Sequence, residues 1–219
     1  MLPTPDAVIF DLDGTLVDTV ETRIRAWLST FAELEIPAGR AQVAALIGSD
    51  GRRLAREVAD AAGQPIDDRQ AEEIDRRAGE LYGSLNVAPR PLPGARATIE
   101  ALDACGIPWA IATSSRPEQV AASVAALTLD GAPLIIDGGR VAHAKPAPDL
   151  LLLAAEELNA PPDRCWVVGD ATWDMRAAVA AGMVAIGVTA GSAVDGAALR
   201  AAGASVVMKT LEELPPLLP

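Results

Sequence analysis

Four consecutive apolar residues, Ala7–Phe10, form the first patterned segment of the chain and stop at Asp11-Leu12-Asp13-Gly14. An apolar run this short, closed by polar residues and glycine, predicts a buried strand. The pattern then changes. Ile24, Trp27, Leu28, Phe31 and Leu34 recur at the three-four spacing of an amphipathic helix. Leu54, Val58, Ala61 and Ala62 repeat it until Gly63 and Pro65. A third helix is expected from Asp67 and Asp68, a plausible N-cap, through Ile74 to Leu81. Three prolines within residues 87–94 mark a strong break and a candidate hinge. Beyond it, helices are expected at 95–104, 117–127, 148–158, 174–181 and 197–201. They alternate with strands at 108–112, 134–136, 165–168, 184–188 and 205–207. Such alternation implies an α/β fold, a Rossmann-like parallel sheet with helices on both faces. The α-helical stretch is then an insertion after the first strand. Residues 1–18 and 91–219 are expected to form the core domain, and residues 19–90 a small helical domain.

Composition narrows the class. The 219 residues, half of them hydrophobic, allow one large domain or two modest ones. A net charge of −12 argues against nucleic acid and anionic membrane as partners. No apolar run is long enough to span a bilayer, and the first residues lack a basic, signal-like region. Cys105 and Cys165 are too few for a disulfide scaffold and read as two ordinary buried thiols of a cytoplasmic protein. A monomer or homodimer is expected. Only Lys145 and Lys209 among the 18 cationic residues are lysines.

Candidate chemistry gathers at the expected strand ends. In extended backbone Asp11 and Asp13 project to the same side, and two carboxylates so close repel unless a cation lies between them. Gly14 permits a tight turn and close approach by a ligand, although an Asp-Gly sequence also suits an ordinary turn. Thr113-Ser114-Ser115-Arg116 precedes a helix opening at Pro117, an arrangement that fits either a phosphate or a plain N-cap. Lys145 is set between Ala144 and two prolines, on a fixed loop. Asp170 and Asp174, one helical turn apart, share a face. Four carboxylates around one lysine require a cation, and the all-oxygen set points to Mg²⁺ with several waters. His143, the sole histidine, has no neighbour that makes it a base. Cys165 and Trp27, Trp166 and Trp173 read as packing groups, although Trp173 lies inside the acidic loop.

Asp11-Leu-Asp-Gly-Thr15, Thr113, Lys145-Pro-Ala-Pro-Asp149 and Gly169-Asp-Ala-Thr-Trp-Asp174 resemble, in order, the four motifs of the haloacid dehalogenase-like hydrolases. The resemblance covers essentially the whole chain. It implies a phosphatase of the phosphoglycolate phosphatase and β-phosphoglucomutase branch, acting on a small phosphorylated metabolite. By it, Asp11 is the nucleophile, Asp13 the acid and base, and Thr113 and Lys145 stabilise the transferring group. Asp11, the Asp13 carbonyl and Asp170 hold Mg²⁺, with Asp174 in support, and residues 19–90 form a cap. An acid at Asp13 favours phosphate esters over halides or carbon–phosphorus bonds. Sugar-phosphate mutases share these motifs and carry a histidine where Arg23 stands, so hydrolysis is favoured. Receiver domains of signalling proteins combine similar groups but phosphorylate a later strand end. Gly14, Ser114, Ser115 and Arg116 are candidate substrate contacts. So is the turn at 47–53 with Gly48, Arg52 and Arg53, which reads equally as a helix start with solvated arginines.

Overall fold

The central strand, β1 (Ala7–Phe10), is buried along its whole length. In the computed structural model, which describes residues 2–219, it is flanked by β2 (Trp109–Ala112) and β4 (Cys165–Gly169). Met1, the first residue of the expected core, lies outside the described residues. β3 (Leu134–Ile136), β5 (Val184–Val188) and β6 (Val206–Met208) complete a six-stranded sheet in the order β3-β2-β1-β4-β5-β6. Every pairing is parallel. This is the Rossmann strand order, in which the reversal beside the first strand opens a crevice at the carboxyl ends. Alternation explains why uniformly apolar strands suit this sheet. Ala7 and Ile9 enter one apolar cluster and Val8 and Phe10 the other, and Cys165, Val167 and Trp166, Val168 divide in the same way.

Between β1 and β2 the chain forms four helices: α1 (Val20–Glu33), α2 (Arg40–Leu46), α3 (Gly51–Ala61) and α4 (Asp68–Leu85). They bury a third apolar cluster of their own, including Ile24, Trp27, Phe31, Leu54, Val58 and Ile74. The sequence pattern predicts three helices here, and α2 is the addition. Its seven residues give only Val43, Ala44 and Leu46 to the cluster, too few turns for a periodic signal. The Asp67 carboxylate caps α4, accepting from the Gln70 N–H. The entering and returning segments run side by side, with Asp18 N–H on Arg90 O at 2.8 Å and Leu92 N–H on Leu16 O at 2.9 Å.

The other helices cover the sheet. α5 (Ala95–Cys105) and α6 (Pro117–Leu127) pack on the Phe10 face, and α7 (Asp149–Glu157) and α8 (Thr172–Ala180) on the Ile9 face. α9 (Gly196–Ala201) lies beside β5 and β6. α8 begins two residues before the expected position, because the Asp174 side chain accepts from Ala171 N–H and so closes the helix from inside its first turn. Cys105 corrects the expectation of two buried thiols. It is exposed at the end of α5, whereas Cys165 is buried in β4. Among the described residues no helix is long and apolar enough to cross a membrane.

Candidate active site

Register brings the expected residues together. Phe10 pairs with Ile111 on one side and Val168 on the other, so β1, β2 and β4 end at nearly the same level. Asp11, Thr113 and Asp170 follow these ends directly. The Lys145 ammonium, fully buried, lies beneath them. It donates to Asp11 Oδ1 at 2.7 Å and Ala112 O at 2.6 Å, and stands 2.7 Å from Asp174 Oδ1. These carboxylates hold its pKa above the ordinary lysine value although burial opposes that. Asp11 Oδ2 accepts no hydrogen bond among the described residues, leaving that oxygen free at the floor of the cleft.

Asp11, Asp170 and Asp174 each offer an oxygen within 4.8 Å of the others. Burial first, then the neighbouring carboxylates, push Asp11 up to about 7, with Lys145 pulling the other way. Asp170 is raised well above the ordinary value for the same reasons. Thr15 donates to Asp170 Oδ1 at 2.9 Å. The strain of gathering these acids is what a hard dication relieves, and an all-oxygen donor set fits one. Gly14 serves this cluster by its absent side chain: its φ is +89°, and a Cβ would stand 2.3 Å from Asp170 Oδ2.

Asp13 faces the other way. Arg23 Nη2 donates to its Oδ2 at 2.6 Å and Ser115 Oγ at 3.0 Å, while Thr19 and Tyr82 hydroxyls donate to Oδ1 at 2.7 and 2.9 Å. Burial pushes its carboxyl up, but Arg23 and these hydroxyls outweigh that and hold it below the usual range. Burial beside Asp13 pushes the Tyr82 phenol up to about 12. Thr113 Oγ1 accepts from Ser115 N–H at 3.1 Å, which leaves the threonine proton free to donate.

A cleft roofed by α1, α3 and α4 opens above Asp11, with a cavity volume of about 50 Å³. Asp13, Thr113, Ser114, Ser115 and Gly48 also line it. Arg116 and Arg52 line a neighbouring cleft instead, where Arg116 pairs with Glu72 and Asp75, and Arg52 with Asp50. Arg53 lines neither; it pairs with Glu57 and lies over the Trp173 ring. The turn at 47–53 runs into the first turn of α3, with Asp50 accepting from Arg53 N–H. Sequence reasoning gave no site role to Arg23, Asp75, Tyr82 or Gln119, all of which line the cleft. One signal was present: Asp75, Ala78, Gly79 and Tyr82 follow the three-four spacing of a single face of α4.

A carboxylate centre at the switch point of a parallel sheet, under helices inserted after the first strand, defines the class as an α/β enzyme whose chemistry sits at strand ends. The chain belongs to the haloacid dehalogenase-like hydrolases, whose family profile matches residues 5–182. Phosphoglycolate phosphatase of Escherichia coli is 33% identical, over 96% of this chain and 91% of its own. Hexitol phosphatase A of the same organism is 34% identical, over 83% of this chain and 82% of its own. The crystal structure of a hydrolase from Pseudomonas syringae, 34% identical, superposes with a TM-score of 0.91 and covers 97% of this chain and 99% of its own.

Proposed function

We propose that this phosphatase cleaves a phosphate monoester of a small metabolite through an aspartyl-phosphate on Asp11. The observation that carries the reading is the state of Asp11, with Oδ1 fixed by Lys145 and Oδ2 unengaged below the cleft. Two relatives bear phosphatase names, which supports the same chemistry. Asp11 Oδ2 attacks phosphorus in line. An oxygen–phosphorus bond forms, the ester bond breaks, and its electron pair leaves with the alcohol oxygen. Asp13 gives that oxygen a proton and later recovers one from the water that attacks the phospho-enzyme. Before donating, Asp13 must leave the contacts that hold it as a carboxylate, whereas the arrangement described here suits the second step. Lys145 and the Thr113 hydroxyl balance charge on the phosphoryl oxygens.

Asp11, Asp170 and Asp174, with the Asp13 carbonyl, would hold Mg²⁺, which supplies positive charge to the phosphoryl group. Residues 19–90 act as the cap that shields the reaction from water and limits substrate size. Arg23 is engaged with Asp13, in the place where mutases carry a histidine, which favours hydrolysis.

Asp11→Asn tests the assignment, since the amide removes the nucleophile with almost no change in volume. Turnover of p-nitrophenyl phosphate should fall to background while the unfolding midpoint is kept. Activity within about tenfold of the unaltered protein, ~1.4 kcal/mol of barrier, refutes the nucleophile.

A further inference from the structure

Two glycines shape the roof of the cleft. A Cβ at Gly51 would lie 1.9 Å from Asp75 Oδ1, and one at Gly79 would lie 2.0 Å from Gln119 Nε2. Each missing side chain is therefore room taken by a polar tip. Asp75 Oδ2 accepts from Arg116 at 2.7 and 3.2 Å, while its Oδ1 accepts nothing among the described residues. Gln119 Oε1 accepts from Arg116 N–H at 3.4 Å and Arg23 Nη1 at 3.5 Å, while its Nε2 donates to nothing among them. The buried Arg23 Nε is also without a partner. The cleft thus presents one unused acceptor, Asp75 Oδ1, and one unused donor, Gln119 Nε2, beside an apolar wall of Trp27 and Leu54.

Charge decides what fills that space. Arg23, the one cation lining the cleft among the described residues, is engaged by Asp13 at 2.6 Å. The cations around it are engaged too: Lys145 by Asp11 and Asp174, Arg116 by Glu72 and Asp75, Arg52 by Asp50. Three carboxylates, Asp11, Asp13 and Asp75, line the same space. A second anion on the substrate would lie near Asp75 with no free cation to meet it. Hydroxyl groups donate to Asp75 Oδ1 or accept from Gln119 Nε2 without that cost.

We infer that the leaving alcohol is neutral and polyhydroxylated, a polyol or sugar rather than a hydroxy acid, with Asp75 and Gln119 reading its hydroxyl groups. The inference rests on the phosphatase reading above and names the substrate class of that site.

Glycerol phosphate and phosphoglycerate provide the test, because they differ by a hydroxymethyl group against a carboxylate. Their kcat/KM values are measured on the full chain with Mg²⁺, beside a hexitol monophosphate and p-nitrophenyl phosphate. The expected result is a preference for glycerol phosphate over phosphoglycerate of about tenfold or more, with the hexitol ester at least as good. Asp75→Asn, which keeps the shape and removes the charge, should narrow the ratio at least fivefold. Preference for phosphoglycerate in the unaltered protein overturns the inference without any variant. So does an unchanged ratio in a folded Asp75→Asn protein. Turnover of the aryl phosphate with acid preference rejects the substrate class alone, whereas silence toward every ester removes the phosphatase reading and this inference with it.

Discussion

Lys145 has three oxygen neighbours within 2.7 Å and almost no exposed surface. An ammonium in that position holds Asp11 and Asp174 together, so its loss leaves two buried carboxylates facing one another. Lys145→Met keeps most of the stem and takes away the charge. In the metal-free protein it should cost about 3–5 kcal/mol of stability by urea unfolding, the range for breaking a buried ion pair from one side. Saturating Mg²⁺ should return part of that loss. A cost below about 1 kcal/mol would show that the carboxylates do not depend on this lysine. At the same scale, Arg23 illustrates how little a residue name reveals. The sequence marks its place, but only the fold shows a buried guanidinium on Asp13 and Ser115 with its plane over the Tyr82 ring.

The helix α4 carries both a packing stripe of the helical unit and the polar roof of the cleft, and Gly79 lies on the roof side. Glycine within a helix is less favourable than alanine by about 1 kcal/mol. Gly79→Ala should raise stability by at most that amount, because the new methyl group displaces the Gln119 amide, 2.0 Å away at Nε2 and 3.1 Å at Cδ. The same substitution should lower kcat/KM on the preferred substrate about fivefold, as expected for one weakened hydrogen bond. Equal activity in the two proteins would separate Gln119 from substrate. The strands were legible because each apolar run stops at a glycine, a threonine or a charged residue, and Asp11 and Asp170 stand at two of those stops. α2 was not, since seven residues carry too little periodicity. The roof was not either. Asp75 and Tyr82 come from α4 and Gln119 from α6, and on each helix a polar residue on an inward face looks like an imperfect stripe. The turn at 47–53 looked alike as a loop or a helix start until Asp50 was placed as the N-cap of α3.

Over the whole molecule, the acids at the strand ends tie folding to protons and, on the proposed reading, to metal. Asp11 titrates near 7 in the folded chain against an ordinary value of 3.8, and Asp170 is displaced in the same direction. Asp11 and Asp170 therefore hold more protons in the folded protein than in the unfolded chain between those values, so without metal these two groups make stability fall as pH rises from about 4 to 7. Mg²⁺ needs the ionised carboxylates, so its stabilisation should grow over the same interval. Thermal melts with Mg²⁺ or with chelator at pH 5 and pH 7.5 should show the larger metal-induced rise in Tm at the higher pH, and Asp170→Asn should reduce it at both. An equal rise at both pH values would dissociate the cluster from metal binding. The helical unit meets the core through its paired linkers, through Arg116 on Glu72 and Asp75, and through Trp173. That indole stands in the first turn of α8, yet its N–H donates to Ala45 O at 3.0 Å, and the Arg53 and Arg176 guanidinium groups each lie over its ring, 4.7 Å from the centroid. Any parting of the helices from the sheet wets the ring and withdraws the Arg53 charge from its face. The molecule thus carries an intrinsic fluorophore on its own seam, and the colour of its emission registers whether the roof is seated.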